Sequence, residues 1–333
     1  MRVLACGVRT YERAALERHF QDRHPLHCVT WVPDGDTVGL AAGYEAVCTS
    51  PAARLDAALL GRLAAGGTRL ITQRASGYTN IDLDAARELG LWVARVSSYS
   101  PHSVAEFAWT LVHALNRHVH RSYQRTREFD FRLDGLLGRD LHGRAVGVVG
   151  TGRIGTVFAR IAQGYRMRLY GWDREENPEC RALGMTYLPL EDLLGRAEIV
   201  SLHVPLTPET RHLIDASRLA CLPDGAILVN TGRGGLIDTT ALVSSLRAGR
   251  LGGVGLDVYE EEERYFFRDL SDEVVTDDVL ARLMTFPNVV VTSHQAFFTA
   301  EATATILATQ AANVDDYLAG RATENTLVRG RDA

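Results

Sequence analysis

The chain has 333 residues, of which 46% are apolar and 23% charged, and its formal net charge is −5. That length exceeds a usual single core and predicts two domains of ordinary globular composition. An acidic balance with scattered basic residues excludes a general nucleic-acid surface and implies no polyanion partner.

The N-terminal run Met1-Arg2-Val3-Leu4-Ala5-Cys6 meets Arg9, Glu12 and Arg13 too soon for a signal-peptide core, and no apolar run reaches membrane-spanning length. The expected location is the cytoplasm, with no membrane partner. The five cysteines are far apart and lack a CxxC pair, so neither a disulfide framework nor a metal site is expected. Lysine is absent, which excludes a Schiff base or a P-loop phosphate contact.

Val3-Leu4-Ala5-Cys6 predicts a first strand, followed by an amphipathic helix over Tyr11 to Phe20. Val47-Cys48 and Arg69-Leu70-Ile71-Thr72 predict further buried strands, with a helix around Ala53 to Ala64 between them. Alternating strands and helices predict a parallel sheet covered on both faces, so the first hundred residues form an α/β unit of their own. Gln73-Arg74-Ala75-Ser76-Gly77-Tyr78-Thr79-Asn80-Ile81-Asp82 follows the Arg69 strand, where ligands of open α/β sheets sit. The backbone amides of Ser76 and Gly77 could hold a small anion there; alternatively, the turn only caps the next helix with Asn80 or Asp82.

Leu91-Trp92-Val93-Ala94-Arg95-Val96 predicts another strand. Pro101 then restricts Ser100 and marks a crossover and candidate hinge. From Ser103 a helical pattern runs to about Arg127, with Val104, Phe107, Ala108, Leu111, Leu115 and Val119 as its apolar stripe. Its arginines and histidines make it a candidate subunit interface. His118 and His120 lie two apart, so on a helix they point in different directions and are not expected to share a metal.

The stretch from Ala145 to Asp173 reads as strand, glycine turn, helix, strand, acid. The strand Ala145-Val146-Gly147-Val148-Val149 leads into Gly150-Thr151-Gly152-Arg153-Ile154-Gly155, and Arg168 to Trp172 forms the second strand. The first glycine permits a tight turn, the second lets backbone amides approach a pyrophosphate, and the third lets the helix pack on the strand. The helix N-terminus favours the anion. Asp173 stands where a carboxylate accepts both ribose hydroxyls and repels a 2′-phosphate, so the expected cofactor is NAD and not NADP, although Arg174 beside it could accommodate that phosphate.

Further strands are predicted at Ile199 to Leu202, Ala226 to Asn230, Val254 to Asp257 and Val289 to Thr292, completing a doubly wound nucleotide domain. Between the last two, Tyr259 to Asp278 forms an acidic and aromatic insertion. Thr299 to Leu318 reads as a long helix that returns to the first domain and makes it discontinuous. Arg233, Glu262 and His294 each lie just beyond a strand of the nucleotide domain, so all three could converge on one edge.

Reducing a 2-keto acid needs a hydride, a proton and a cation for the carboxylate. A histidinium can give the proton, and a neighbouring carboxylate favours the charged form of an imidazole. Arginine suits the last role because its planar fork engages two oxygens together. Singly, each residue could equally be a surface group, and composition does not choose among Glu260, Glu261, Glu262 and Glu263.

The chain resembles the NAD-dependent D-2-hydroxyacid dehydrogenases, most closely their fermentative bacterial D-lactate dehydrogenase branch, essentially end to end. The resemblance rests on Arg74 to Asp82, Tyr99-Ser100-Pro101, Ala105-Glu106, Tyr123 to Arg127 and Gly150 to Gly155. It continues through His203-Val204-Pro205-Leu206-Thr207-Pro208, Asn230 to Asp238, Asp257-Val258-Tyr259-Glu260 and His294-Gln295-Ala296-Phe297. It implies two doubly wound parallel-sheet domains: a flavodoxin-like substrate domain over 1–100 plus 298–333, and a Rossmann NAD-binding domain over 101–297.

The resemblance selects Glu262 as the catalytic glutamate, makes Arg233 the substrate-orienting cation and makes His294 the acid/base. It places Ser76 and Gly77 on the substrate carboxylate and Tyr99 and Phe297 in the substrate pocket. NAD contacts are implied at Gly150, Gly152, Arg153, Ile154, Gly155, Asp173, Val204, Pro205, Thr231, Gly232 and Asp257, with Asp257 on the nicotinamide carboxamide. Gly232 stands where the family more often has serine or alanine, and Ser76 and Tyr78 where close relatives tend to have alanine and phenylalanine.

The leading expectation is reversible NADH-dependent reduction of pyruvate to D-lactate by a homodimer or homotetramer. Its rivals are a dehydrogenase for a bulkier 2-keto acid (phenylpyruvate or a branched-chain one), a formate dehydrogenase, which needs no proton donor, and an NAD-sensing binding protein without turnover.

Overall fold

The structure, a computed structural model, describes residues 1–330. It divides into one unit of Met1–Ser100 with the segment from Phe298 onward, and a second of Pro101–Phe297. In the first, β1 (Val3–Ala5), β2 (Leu26–Cys28), β3 (Ala46–Thr49), β4 (Leu70–Gln73) and β5 (Trp92–Ala94) run parallel in the order β2-β1-β3-β4-β5, the flavodoxin-like arrangement. Helices α1 (Thr10–Phe20), α2 (Ala57–Ala65) and α3 (Leu83–Glu88) connect them. Asp56 and Asp82 cap α2 and α3, accepting the amides of Leu59 and Ala85 at 2.9 Å each.

The second unit begins with two helices, α4 (Pro101–Asn116) and α5 (Val119–Arg127), where the sequence pattern predicts one. His118 is the reason, since its φ of +51° is left-handed and cannot continue a right-handed helix. The apolar stripe of α4 is core: Ala105, Ala108, Trp109, Leu111, Val112 and Leu115 are buried. The outer face of α4 keeps His102, Glu106 and Thr110 exposed, whereas α5 has no buried residue.

Strands β6 (Ala145–Val149), β7 (Arg168–Trp172), β8 (Thr186–Tyr187), β9 (Ile199–Leu202), β10 (Ala226–Asn230), β11 (Leu251–Leu256) and β12 (Val289–Val291) form a second parallel sheet. Helices α6 (Arg153–Gly164), α7 (Pro178–Ala182), α8 (Leu190–Arg196), α9 (Ala216–Cys221), α10 (Thr239–Arg247) and α11 (Asp278–Thr285) cover it. The strand order β8-β7-β6-β9-β10-β11-β12 is that of a Rossmann domain with one more strand at its end. Finally α12 (Ala300–Leu318) and β13 (Thr326–Val328) return to the first unit, where β13 pairs antiparallel with β5. Buried Gln310 and Asn313 on α12 fix this return, bonding the Thr72 hydroxyl at 3.2 and 2.9 Å.

Sheet register positions the chemistry of the second unit. Trp172, Val149, Leu202, Asn230, Leu256 and Val291 are successive neighbours across the sheet. The residues that follow them, Gly150, Asp173, His203, Thr231, Asp257 and Thr292, therefore emerge along one carboxyl edge.

Beneath that edge Trp109 stacks on Phe158 with ring centroids 4.6 Å apart and donates its indole N–H to the Phe158 carbonyl at 3.1 Å. The other neighbour of Phe158 is His203, at 5.1 Å, whose Nε2 is buried without a protein partner. Burial pushes this imidazole from its ordinary 6.5 down to about 3. The unfolded chain then binds a proton that the folded ring refuses. The stability contributed by the neutral ring is complete above about pH 6.5 and is lost as pH falls toward 3. Melting temperatures measured at pH 7 and pH 5 should fall more for the wild type than for His203→Leu.

Candidate active site

The glycine turn is built for close approach. Gly150 takes a φ of +97°, open only to glycine at low cost, and a Cβ on Gly155 would collide with the Gly150 carbonyl. Gly152 sits at the N-cap of α6 with open space where its Cβ would be, and no side chain caps the helix. A helix N-terminus without a side-chain cap suits an anion. Thr231, just past β10, has a buried hydroxyl with no protein partner. An open helix N-terminus and an orphaned hydroxyl on the same sheet edge fit a dinucleotide.

Asp173 stands at that turn. Its Oδ2 accepts the Thr151 amide at 2.6 Å and the Thr151 hydroxyl at 3.1 Å, and its Oδ1 accepts the Arg174 amide at 2.8 Å. Each carboxylate oxygen keeps acceptor capacity for a ribose hydroxyl. Arg174 lies near Glu209, on the turn after Val204 and Pro205, and contributes to holding that carboxyl below its usual range, an effect led by the Thr207 hydrogen bond. The Pro205 turn is closed by the Thr210 hydroxyl, which donates to the Pro205 carbonyl at 2.7 Å.

Farther along the edge, His294 Nδ1 lies 2.9 Å from Glu262 Oε1. A nitrogen that close to a carboxylate carries the proton and donates it, which leaves Nε2 as the site that exchanges protons with a ligand. Glu262 Oε2 accepts the Tyr259 amide at 3.1 Å. His294 has a φ of +52°, an unfavourable conformation for a non-glycine residue, costing about 1–3 kcal/mol.

Asp257 sustains that conformation. It is fully buried, its backbone carbonyl accepts the His294 amide at 2.7 Å, and its carboxylate accepts the Thr292 hydroxyl at 2.5 Å and the amides of Gln295 and Ala296 at 2.9 and 2.8 Å. Burial raises its carboxyl, while Thr292, Ala296 and Gln295 oppose that rise by bonding the charged form. The side chain is thus engaged in building the His294 turn. Sequence reasoning did not reach this task, which depends on a hydrogen-bond pattern spanning more than thirty residues.

Arg233 follows β10 in extended conformation, half-buried, with its guanidinium donating to the Gly232 carbonyl at 2.7 Å. Among the described residues it has no carboxylate partner, so its fork is available to an acid. The Asn230 side chain shapes this turn, donating to the Arg233 carbonyl at 2.8 Å and accepting the Gly232 amide at 3.0 Å. A Cβ on Gly234 would overlap the backbone of Tyr259 and Glu260, so the Arg233 turn lies directly on the start of the Glu262 insertion.

In the first unit, the Ser76 carbonyl accepts the Arg95 guanidinium at 2.7 Å and the Gly77 carbonyl accepts the Gln73 amide at 2.8 Å. With both carbonyls pinned, the Ser76 and Gly77 amides donate to no group among the described residues. Arg95 also lies over the Tyr78 ring, 5.0 Å from its centroid. Tyr99 is half-buried in this unit, and Phe297 is half-buried at the end of the second.

A strand order of Rossmann type, an open helix N-terminus with an acid at the second strand, and a histidine–carboxylate pair on the same edge define an NAD-dependent oxidoreductase. Residues 109–296 match the model for the D-isomer specific 2-hydroxyacid dehydrogenase, NAD binding domain. The chain is 45% identical to 2-hydroxyacid dehydrogenase A of Aspergillus oryzae over 99% of its own length and 96% of that protein. It is 42% identical to the D-lactate dehydrogenase of Escherichia coli, over 88% of its length and 89% of that protein. A solved structure described as the pyruvate reductase of Chlamydomonas reinhardtii superposes with a TM-score of 0.92 at 38% identity, covering 97% of each chain. The chain belongs to the D-2-hydroxyacid dehydrogenase family.

Removing the Asp173 carboxylate should weaken NADH binding by roughly tenfold, the worth of a hydrogen bond to a charged group, and relax discrimination against NADPH. The ratio of kcat/KM for NADH and NADPH in Asp173→Ala against wild type checks this.

Proposed function

We propose that this protein is a D-lactate dehydrogenase, reducing pyruvate reversibly to D-lactate with NADH. The observation that carries the reading is the 2.9 Å contact between His294 and Glu262 on the edge where the cofactor domain presents its ligand residues. The substrate preference is supported by relatives named for D-lactate and for pyruvate. NADH, when bound, supplies the hydride to the carbonyl carbon. Gly150, Gly152, Arg153, Ile154 and Gly155 would hold its pyrophosphate, Asp173 a ribose, Val204 and Pro205 the adenine side, and Thr231 and Gly232 the nicotinamide half.

The protein's own residues do the rest. His294 Nε2 gives its proton to the carbonyl oxygen as the alkoxide develops, and Glu262 stabilises the imidazolium beforehand. In lactate oxidation the same nitrogen takes the proton back. Arg233 engages the carboxylate and carbonyl oxygens, and the amides of Ser76 and Gly77 receive the carboxylate. Tyr99 of the first unit and Phe297 of the second are proposed substrate contacts. A formate dehydrogenase has no use for a paired proton donor.

Rapid NADH oxidation with pyruvate, yielding the D isomer, is the expected result. A higher kcat/KM for phenylpyruvate would transfer the assignment to a bulkier 2-keto acid, and NADH binding without turnover of any keto acid would leave a binding protein. His294→Ala should lower kcat by roughly 100-fold or more with NADH affinity nearly unchanged.

The active form is a homodimer or homotetramer in the cytoplasm. Support for assembly comes from the segment after α5, where Phe129, Phe131, Leu133 and Leu137 are between 71% and 92% exposed, an apolar surface suited to a second copy. All five cysteines are unpaired, as a reducing compartment keeps them. Sedimentation should show an oligomer at micromolar concentration, and replacing Phe129 and Phe131 with serine should shift it toward monomer.

A further inference from the structure

The insertion that carries Glu262 has little regular structure, only a 3-10 turn at Glu262–Arg264, and four glutamates crowd its start. Mutual repulsion and loop freedom both work against holding one carboxylate on target. Yet both oxygens of Glu262 are engaged, one by His294 and one by the Tyr259 amide.

What anchors Tyr259 is its own hydroxyl. The side chain is buried and the hydroxyl donates to Asp277 Oδ2 at 2.7 Å, 18 residues along the chain. Asp277 is itself immobilised as the N-cap of α11, its Oδ1 accepting the amides of Val279 and Leu280 at 2.9 Å each. A continuous series of bonds thus runs from the imidazole through Glu262 and Tyr259 to a helix terminus, closing the insertion at both ends. Inside the closed loop Phe267 takes a left-handed φ of +64° and sets its ring 6.2 Å from the imidazole. An untethered loop has no reason to hold such a conformation.

We propose that Tyr259 and Asp277 are positioning residues for the reaction, their side-chain bond holding Glu262 against His294. This rests on the proposed acid/base role of His294 but is separable from it by experiment. Tyr259→Phe keeps the buried ring and removes only the hydroxyl. Asp277→Asn keeps both a cap and a hydrogen-bonding partner for the hydroxyl.

The test is the Nδ1 proton resonance of the His294 ring by NMR, which needs no substrate, in Tyr259→Phe, Asp277→Asn, Asp277→Ala, Glu262→Gln and the Tyr259→Phe/Glu262→Gln double variant. Losing the carboxylate contact should move the hydrogen-bonded Nδ1 proton upfield in Glu262→Gln, and Tyr259→Phe should move it in the same direction by a smaller amount. Asp277→Ala should match Tyr259→Phe, Asp277→Asn should match wild type, and Tyr259→Phe should add nothing once Glu262 is glutamine. A Tyr259→Phe resonance equal to wild type overturns the proposal, as does a full Tyr259→Phe displacement persisting beside Glu262→Gln. Turnover of keto acids by the wild type tests the functional reading alone. With that turnover in hand, Tyr259→Phe should lower kcat roughly fivefold and leave KM for the keto acid nearly unchanged.

Discussion

The carboxylate of Asp257 is the constraint on which the second unit's chemistry depends. It lies at the end of a buried strand, where an unsatisfied charge would be costly, and it is satisfied by the turn that follows the neighbouring strand. Three donors converge on it, and their convergence forces His294 into a left-handed conformation that it would not choose. Burial energy is thereby converted into the aim of an imidazole. Glu262 then has a fixed target, and the insertion needs only to bring one carboxylate within reach.

The two units show the same logic with different materials. In the second, strand register brings six residues to one edge. In the first, Arg95 and Gln73 pin two successive carbonyls so that two amides are left facing away from protein acceptors. Neither device uses a metal-like cluster or a lysine. Both rely on oriented hydrogen-bond donors, which need no reorganisation when a negative charge arrives.

Much of this was legible in the sequence, for identifiable reasons. Buried parallel strands leave continuous apolar runs, so Ala145 to Val149 and Ala226 to Asn230 stand out, and a glycine turn between strand and helix specifies its own geometry. The strands at Leu26–Cys28, Thr186–Tyr187 and Thr326–Val328 left no such run, being two or three residues long and largely part-exposed at sheet edges. The helix predicted from Ser103 to Arg127 breaks at His118, which carries no glycine or proline signal. The Glu262 assignment needed the resemblance, because four adjacent glutamates are equivalent in composition and only the fold distinguishes them. The tasks of Asp257, Tyr259 and Asp277 were out of reach because each depends on partners distant in the chain.

The return of α12 to the first unit bears on how the chain is made. Leu307, Ala311, Val314 and Tyr317 supply part of the core that covers β1, β3 and β4, and β13 covers the outer edge of β5. The second unit is contiguous and can close as soon as its last strand leaves the ribosome. The first has emerged earlier but must wait, with one face of its sheet only partly covered by α1, until α12 has been synthesised. Nascent chains should therefore acquire protease resistance in the opposite order to their sequence, with the N-terminal strands the last to be protected.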